Sequence, residues 1–108
     1  MSFIDGILQG TTPTFEIKIP DDIQTSSITA AELTFRQSGK VWIYHLADLI
    51  IDAEENKINK PFTEAETLAL NSKVPLSWQL RIQTADGIFG TIEKAINVLN
   101  LISEEAIS

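Results

Sequence analysis

Apolar side chains recur at every second position through most of this chain, which is the period of a strand with one buried and one wet face. Phe15, Ile17 and Ile19 alternate with Thr14, Glu16 and Lys18. Pro13 sits where a strand entrance tolerates a missing N–H, and Pro20 ends the run. Residues 21–27 are polar and read as a loop, with Ile23 tucked under it. In "ITAAELTFRQ" Ala31, Leu33 and Phe35 share one face, and Glu32, Thr34 and Arg36 the other. "QSGK" then supplies a turn at Gly39, and "VWIYHL" returns with apolar or aromatic residues on both faces, so residues 28–46 form a hairpin.

"DLIIDAEENKINKPF" reads as a short strand, an acidic turn from Asp52 to Asn56, and a second arm holding Ile58, Pro61 and Phe62. Thr63 followed three residues later by Glu66 is a capping box, so one or two helical turns are expected over 63–70, with Asn71 as the stop. The clearest strand is "VPLSWQLRIQTADGIFG": Leu76, Trp78, Leu80 and Ile82 face one way, and Ser77, Gln79, Arg81 and Gln83 the other. Asp86-Gly87 is a strong hairpin signal. The return arm, Ile88 toward Leu101, is ambiguous, because Ile92, Ile96 and Leu99 have helical spacing while Ile96 and Val98 alternate. A tight turn requires a pairing partner directly after it, so strand is the expectation.

About seven to eight short strands, with turn signals every eight to twelve residues, predict an all-β fold: an antiparallel β-sandwich, immunoglobulin-like in the loose sense. Its inner layer would hold Phe15, Ile17, Leu33, Phe35, Trp78, Leu80 and Ile82. Loss of Trp78 to alanine is expected to cost about 3–5 kcal/mol.

Composition narrows the picture. A length of 108 residues suits one domain, with a core over about 7–102 and a frayed tail at 103–108. Fifteen acidic against 8 basic residues give a formal charge of −7, unfavourable for nucleic acid or an anionic membrane surface. Cysteine is absent, which removes disulfides, thiolate metal sites and cysteine nucleophiles. "MSFIDGILQG" lacks the basic start of a signal peptide, and no apolar run approaches a membrane span. A soluble protein made in the cytoplasm is expected.

Candidate chemistry is sparse. Gly10-Thr11-Thr12 lacks the lysine and following helix of a phosphate loop. His45, the single histidine, has Asp48 nearby but no serine elbow for a triad. The acids around Asp52 to Asn56 lack the spacing and glycine of a calcium loop, and a solvated tip competes with a calcium site there. Asp21–Asp22 and Glu104–Glu105 are neighbours whose side chains diverge on a strand. No catalytic residue, metal or cofactor is expected, and a small hydrolase built on these acids or His45 is the weakest reading. Trp42 and Tyr44 share a strand face, with Leu46 beyond. One face of that strand enters the core; the other is covered or forms an apolar patch of the kind that marks protein contacts, and Trp42, Tyr44 and Leu46 are the interface candidates. A carbohydrate platform on Trp42 and Tyr44 is the competing use.

The succession "GTTPT", "AELTFRQSGKVWI", "TEAETLAL" and "LSWQLRIQTADGIFG" resembles the small β-sandwich proteins of bacteriophage and prophage structural gene clusters of Gram-positive bacteria. It is also similar to the N-terminal domain of phage baseplate upper proteins. The likeness spans roughly residues 7–100 and rests on turn and strand chemistry. It implies a virion, tail or baseplate accessory role without catalysis, with other virion proteins and further copies of the chain as partners. The chain stops at Ser108, where those proteins continue into a helical linker, so a free-standing accessory fits the resemblance better than a receptor adaptor.

Overall fold

A computed structural model describes residues 6–91 and 93–99. Its architecture is all-β: two antiparallel layers packed on one apolar core, with ten strands, one short helix and two 3-10 turns among the described residues.

The larger layer forms around the most regular alternations in the chain. Strand β3, Ala30–Gln37, buries Ala31, Leu33 and Phe35 on one face. It pairs antiparallel with β4, Lys40–His45, on one side and with β7, Leu76–Thr84, on the other. Beyond β7 lie β8, Gly87–Gly90, and β9, Lys94–Ile96. The smaller layer is β2, Thr14–Lys18, then β6, Lys57–Pro61, then β5, Ile50–Asp52. Across the gap Phe15 of β2 meets Phe35 and Trp78 edge-on, with ring centroids 5.6 and 5.0 Å apart. Those contacts join the layers, because offset and edge-on rings pack well over a thick core.

The likeness to an immunoglobulin domain is one of architecture. There the second strand lies beside the first and fifth; here β2 lies at the edge of its layer, beside β6 alone, and β3 begins the opposite layer.

Helix α1, Glu64–Leu68, begins as the sequence indicates: the Thr63 side chain accepts from the Glu66 N–H, and the Glu66 carboxylate accepts from the Thr63 N–H. It ends earlier than Asn71, with Ala69 as its C-cap. The Asn71 N–H is held by the buried side chain of Gln37, which also donates to the carbonyls of Asn71 and Val74. A segment fastened that way has no need of a longer helix.

The return arm is extended, but it is broken into pieces. The turn after β7 is centred on Ala85 and Asp86, one residue earlier than Asp-Gly, and Gly87 pairs with Thr84 as the first residue of β8. Between β8 and β9 the ladder is interrupted at Thr91, whose hydroxyl accepts from the Leu80 N–H and whose carbonyl accepts from the Gln79 amide. Between the pairs Arg81–Gly90 and Trp78–Lys94 lie two residues on β7 and three on the return arm, and that extra residue is a bulge that splits one expected strand into two. Ile92 and residues 100–102 fall outside the described residues.

A further pair was not expected. β1, Ile7–Leu8, runs parallel to β10, Val98–Leu99, as a separate two-stranded sheet beside the two antiparallel layers. Gly6 makes that approach possible: at φ +149° and with no Cβ it lies where a side chain would come within 2.5 Å of the Asn97 carbonyl oxygen. Ile7 and Val98 are both buried. The Gly10-Thr11-Thr12 stretch is equally structural, since Thr11 Oγ1 donates to the Leu8 carbonyl, the Thr11 carbonyl accepts from Thr67 Oγ1, and that of Pro13 from the Phe62 N–H.

Candidate functional site

The geometry of the candidate surface is set by a two-residue turn. Ser38 and Gly39 take φ of +50° and +81°, the left-handed pair that matches strand twist in a tight hairpin. Gly39 adopts this at little cost; a side chain there would be strained even though nothing lies within 4 Å to collide with it. The turn fixes Gln37 opposite Lys40, hence Phe35 opposite Trp42 and Leu33 opposite Tyr44. Directly opposed residues share a face, so Trp42 and Tyr44 look inward, half-buried against the core. Leu46, in the 3-10 turn Leu46–Asp48, is half-buried against the same core. The outward face carries Val41 and Ile43, which are 54% and 50% exposed. The interface candidates Trp42, Tyr44 and Leu46 thus lie half-buried against the core, and the exposed apolar face of the strand is instead that of Val41 and Ile43. The hairpin register was the available signal, because a two-residue loop at Ser38-Gly39 dictates every pairing that follows it.

Behind Tyr44 lies a charged group that alternation alone conceals. Lys60 sits on the inner face of β6 beside Ile58 and is buried. Its ammonium lies 3.1 Å from Glu66 Oε2, donates to the Pro61 carbonyl at 2.9 Å, and stands 4.2 Å from the Tyr44 ring centroid. The Tyr44 hydroxyl donates to Glu66 Oε2 at 2.6 Å. Burial pushes the Glu66 carboxyl upward, but hydrogen bonds from Tyr44, the Thr63 N–H and Lys60 outweigh it and hold it below its ordinary range. Burial, followed by the hydrogen bond to Glu66, raises the Tyr44 phenol well above its ordinary value. The small cleft here is bounded by Phe35, Trp42, Phe62, Leu70 and Leu76 besides Tyr44 and Glu66. Its polar groups are committed to one another, an arrangement that fixes packing and offers little to a substrate.

The remaining polar candidates hold turns. The Asp48 carboxylate accepts from the His45 N–H at 3.0 Å and the His45 side chain accepts in return, so their proximity caps the 3-10 turn. In the acidic turn Asp52 Oδ1 accepts from the Glu55 N–H. Asn56, at φ +53°, accepts from the Thr25 N–H and donates to the carbonyls of Ile19, Pro20 and Ile23. Its carboxamide thus clamps the loop after β2. Asp21 lies 3.7 Å from the Lys18 ammonium and is almost fully exposed; Glu104 and Glu105 fall outside the described residues. Among the described residues no three His, Asp or Glu side chains converge as a cation cage, and no helix is long and apolar enough to cross a membrane.

Comparison of the chain with protein-family models, with curated proteins and with solved structures returns no match.

Proposed function

We propose that the chain is a non-enzymatic, protein-binding β-sandwich that serves as an accessory of a phage or prophage particle, at its tail or baseplate, after synthesis in the bacterial cytoplasm. The observation that carries the binding reading is the pairing of exposed Val41 and Ile43 on an outermost strand of the larger sheet. Apolar side chains beside unpaired backbone are the features by which a sheet edge recruits another chain. Support for the non-enzymatic reading comes from the polar residues: His45, Asp48, Asp52, Tyr44, Lys60 and Glu66 are each engaged in a cap, a turn or a buried pair. The viral setting rests on the sequence resemblance alone.

A carbohydrate platform requires rings open on a sheet face, and Trp42 and Tyr44 turn theirs to the core. The test is immunodetection of the chain in density-purified particles released by the bacterium that encodes it. Co-sedimentation at a fixed ratio to the other particle proteins is expected. Complete particles lacking the chain would overturn the proposal, as would glycan-dependent quenching of tryptophan fluorescence in the isolated protein.

A further inference from the structure

Strand β4 presents a length of backbone whose polar groups point away from the fold. Gln37 and Lys40 flank a two-residue loop, so they form the hydrogen-bonded pair next to it, and the ladder alternates from there. Trp42 and Tyr44 therefore turn their N–H and C=O groups to β3, while Val41, Ile43 and His45 turn theirs to the open side. At His45 that side is plugged, because Asp48 Oδ2 takes the N–H at 3.0 Å. The pairable stretch is thus Val41 to Ile43. The other outer strands carry protection: β2 is bracketed by Pro13 and Pro20 and studded with Glu16 and Lys18, β5 and β9 have three residues each, β1 and β10 have two each, and β8 is short with glycine at each end.

We propose that this edge pairs with the same edge of a second copy of the chain, antiparallel about a two-fold axis at Trp42, placing Val41 opposite Ile43 of the second copy. The inference rests on the protein-binding reading and names its partner. Three features select a second copy. The free groups are self-complementary: the N–H and C=O of Val41 and Ile43 in the two copies make four ladder bonds with none left over. The exposed side chains of the same residues then form one continuous apolar cluster of four on the outer face. The charges agree as well. Lys40 lies at one end of the pairable stretch and the Asp48 carboxylate at the other. Antiparallel pairing brings each lysine to the other copy's carboxylate, whereas parallel pairing sets like beside like.

Sedimentation equilibrium of the full chain up to millimolar concentration tests this. The mass is expected to rise toward twice the 12.0 kDa of one chain. Ile43→Pro should hold it at one chain; the Ile43 N–H makes no bond to β3, so proline removes a pairing group at a position where an edge strand tolerates it. Ile43→Lys should do the same without touching the backbone, and Lys40→Glu should weaken association several-fold. Far-UV circular dichroism identifies any variant that fails to fold. In the wild type, hydrogen exchange of the Val41 and Ile43 amides should slow as concentration rises. A wild-type chain that keeps the mass of one copy at millimolar concentration overturns the inference, as does a folded Ile43→Lys that still doubles. A monomer found in purified particles would remove this inference and leave the proposed function standing; a dimer absent from particles would do the reverse.

Discussion

The Tyr44 hydroxyl donates a 2.6 Å hydrogen bond to Glu66 Oε2, and that contact ties the outermost strand of the larger sheet to the helix that follows the smaller one. Glu66 also receives the buried Lys60 ammonium and closes the helix cap at Thr63. Removing Glu66 therefore leaves a buried cation with a carbonyl and two ring faces for company. Breaking a fully buried pair costs about 3–5 kcal/mol; with Glu66 a quarter exposed, Glu66→Ala should cost about 2–3 kcal/mol. Tyr44→Phe keeps the pair and loses one bond, so about 1 kcal/mol is expected. Urea denaturation of both variants checks the ratio.

The same cluster sets a pH dependence. The Glu66 carboxyl is held below its ordinary 4.5. As pH falls below 4.5 the unfolded chain takes up that proton before the folded one does, so the stabilisation is whole above 4.5 and is lost as pH falls through the folded value. Tyr44 acts on the alkaline side: past its ordinary 10.0 the unfolded chain releases the phenolic proton while the folded chain keeps it, so stability falls as pH rises. Thermal melts across pH should show a shallower acid limb for Glu66→Gln and a shallower alkaline limb for Tyr44→Phe.

Asn56 combines a left-handed backbone with a side chain that clamps Ile19 to Thr25. Asn56→Gly keeps the conformation and loses the clamp; Asn56→Ala loses both. The alanine variant should be less stable than the glycine variant by about 1–2 kcal/mol, the cost of placing a Cβ in that region. Millimolar calcium should leave the melting temperature of the wild type unchanged, because the Asn56 carboxamide oxygen and Asp52 Oδ1 already accept from backbone N–H groups. A calcium-dependent rise would return the acidic turn to the list of ligand sites.

What could be read in the sequence is what local chemistry controls. The alternation of Leu76, Leu80 and Ile82 gives β7, Thr63 and Glu66 give the helix start, and Ser38-Gly39 gives the hairpin. Lys60, Gln37 and Asn56 were not legible as structural centres, because each is defined by partners far along the chain: Tyr44 for Lys60, Asn71 for Gln37, Thr25 for Asn56. A lysine in an alternating strand reads as a wet position until an aromatic ring and a carboxylate arrive from other elements. The parallel union of β1 and β10 escapes for the same reason, since Ile7 and Val98 lie at opposite ends of the sequence. On the candidate surface, the pattern pointed to Trp42, Tyr44 and Leu46, and the hairpin register turns Trp42 and Tyr44 inward and leaves Val41 and Ile43 outside.

The core itself offers the sharpest comparison. Phe35 is 1% exposed and meets the rings of Phe15, Tyr44 and Phe62 at 5.6, 6.0 and 5.3 Å. Trp78, whose loss the sequence pattern puts at about 3–5 kcal/mol, is half-buried: its ring meets Phe15 at 5.0 Å and the Lys94 ammonium lies 5.9 Å from its centroid. Phe35→Ala empties a space walled on all sides and should cost about 3–5 kcal/mol. Trp78→Ala opens a groove that water can enter, so about 2 kcal/mol is expected, in keeping with partial removal of apolar area. Urea unfolding followed by far-UV circular dichroism measures both without depending on the deleted indole. Equal losses would mean that Trp78 is enclosed as completely as Phe35.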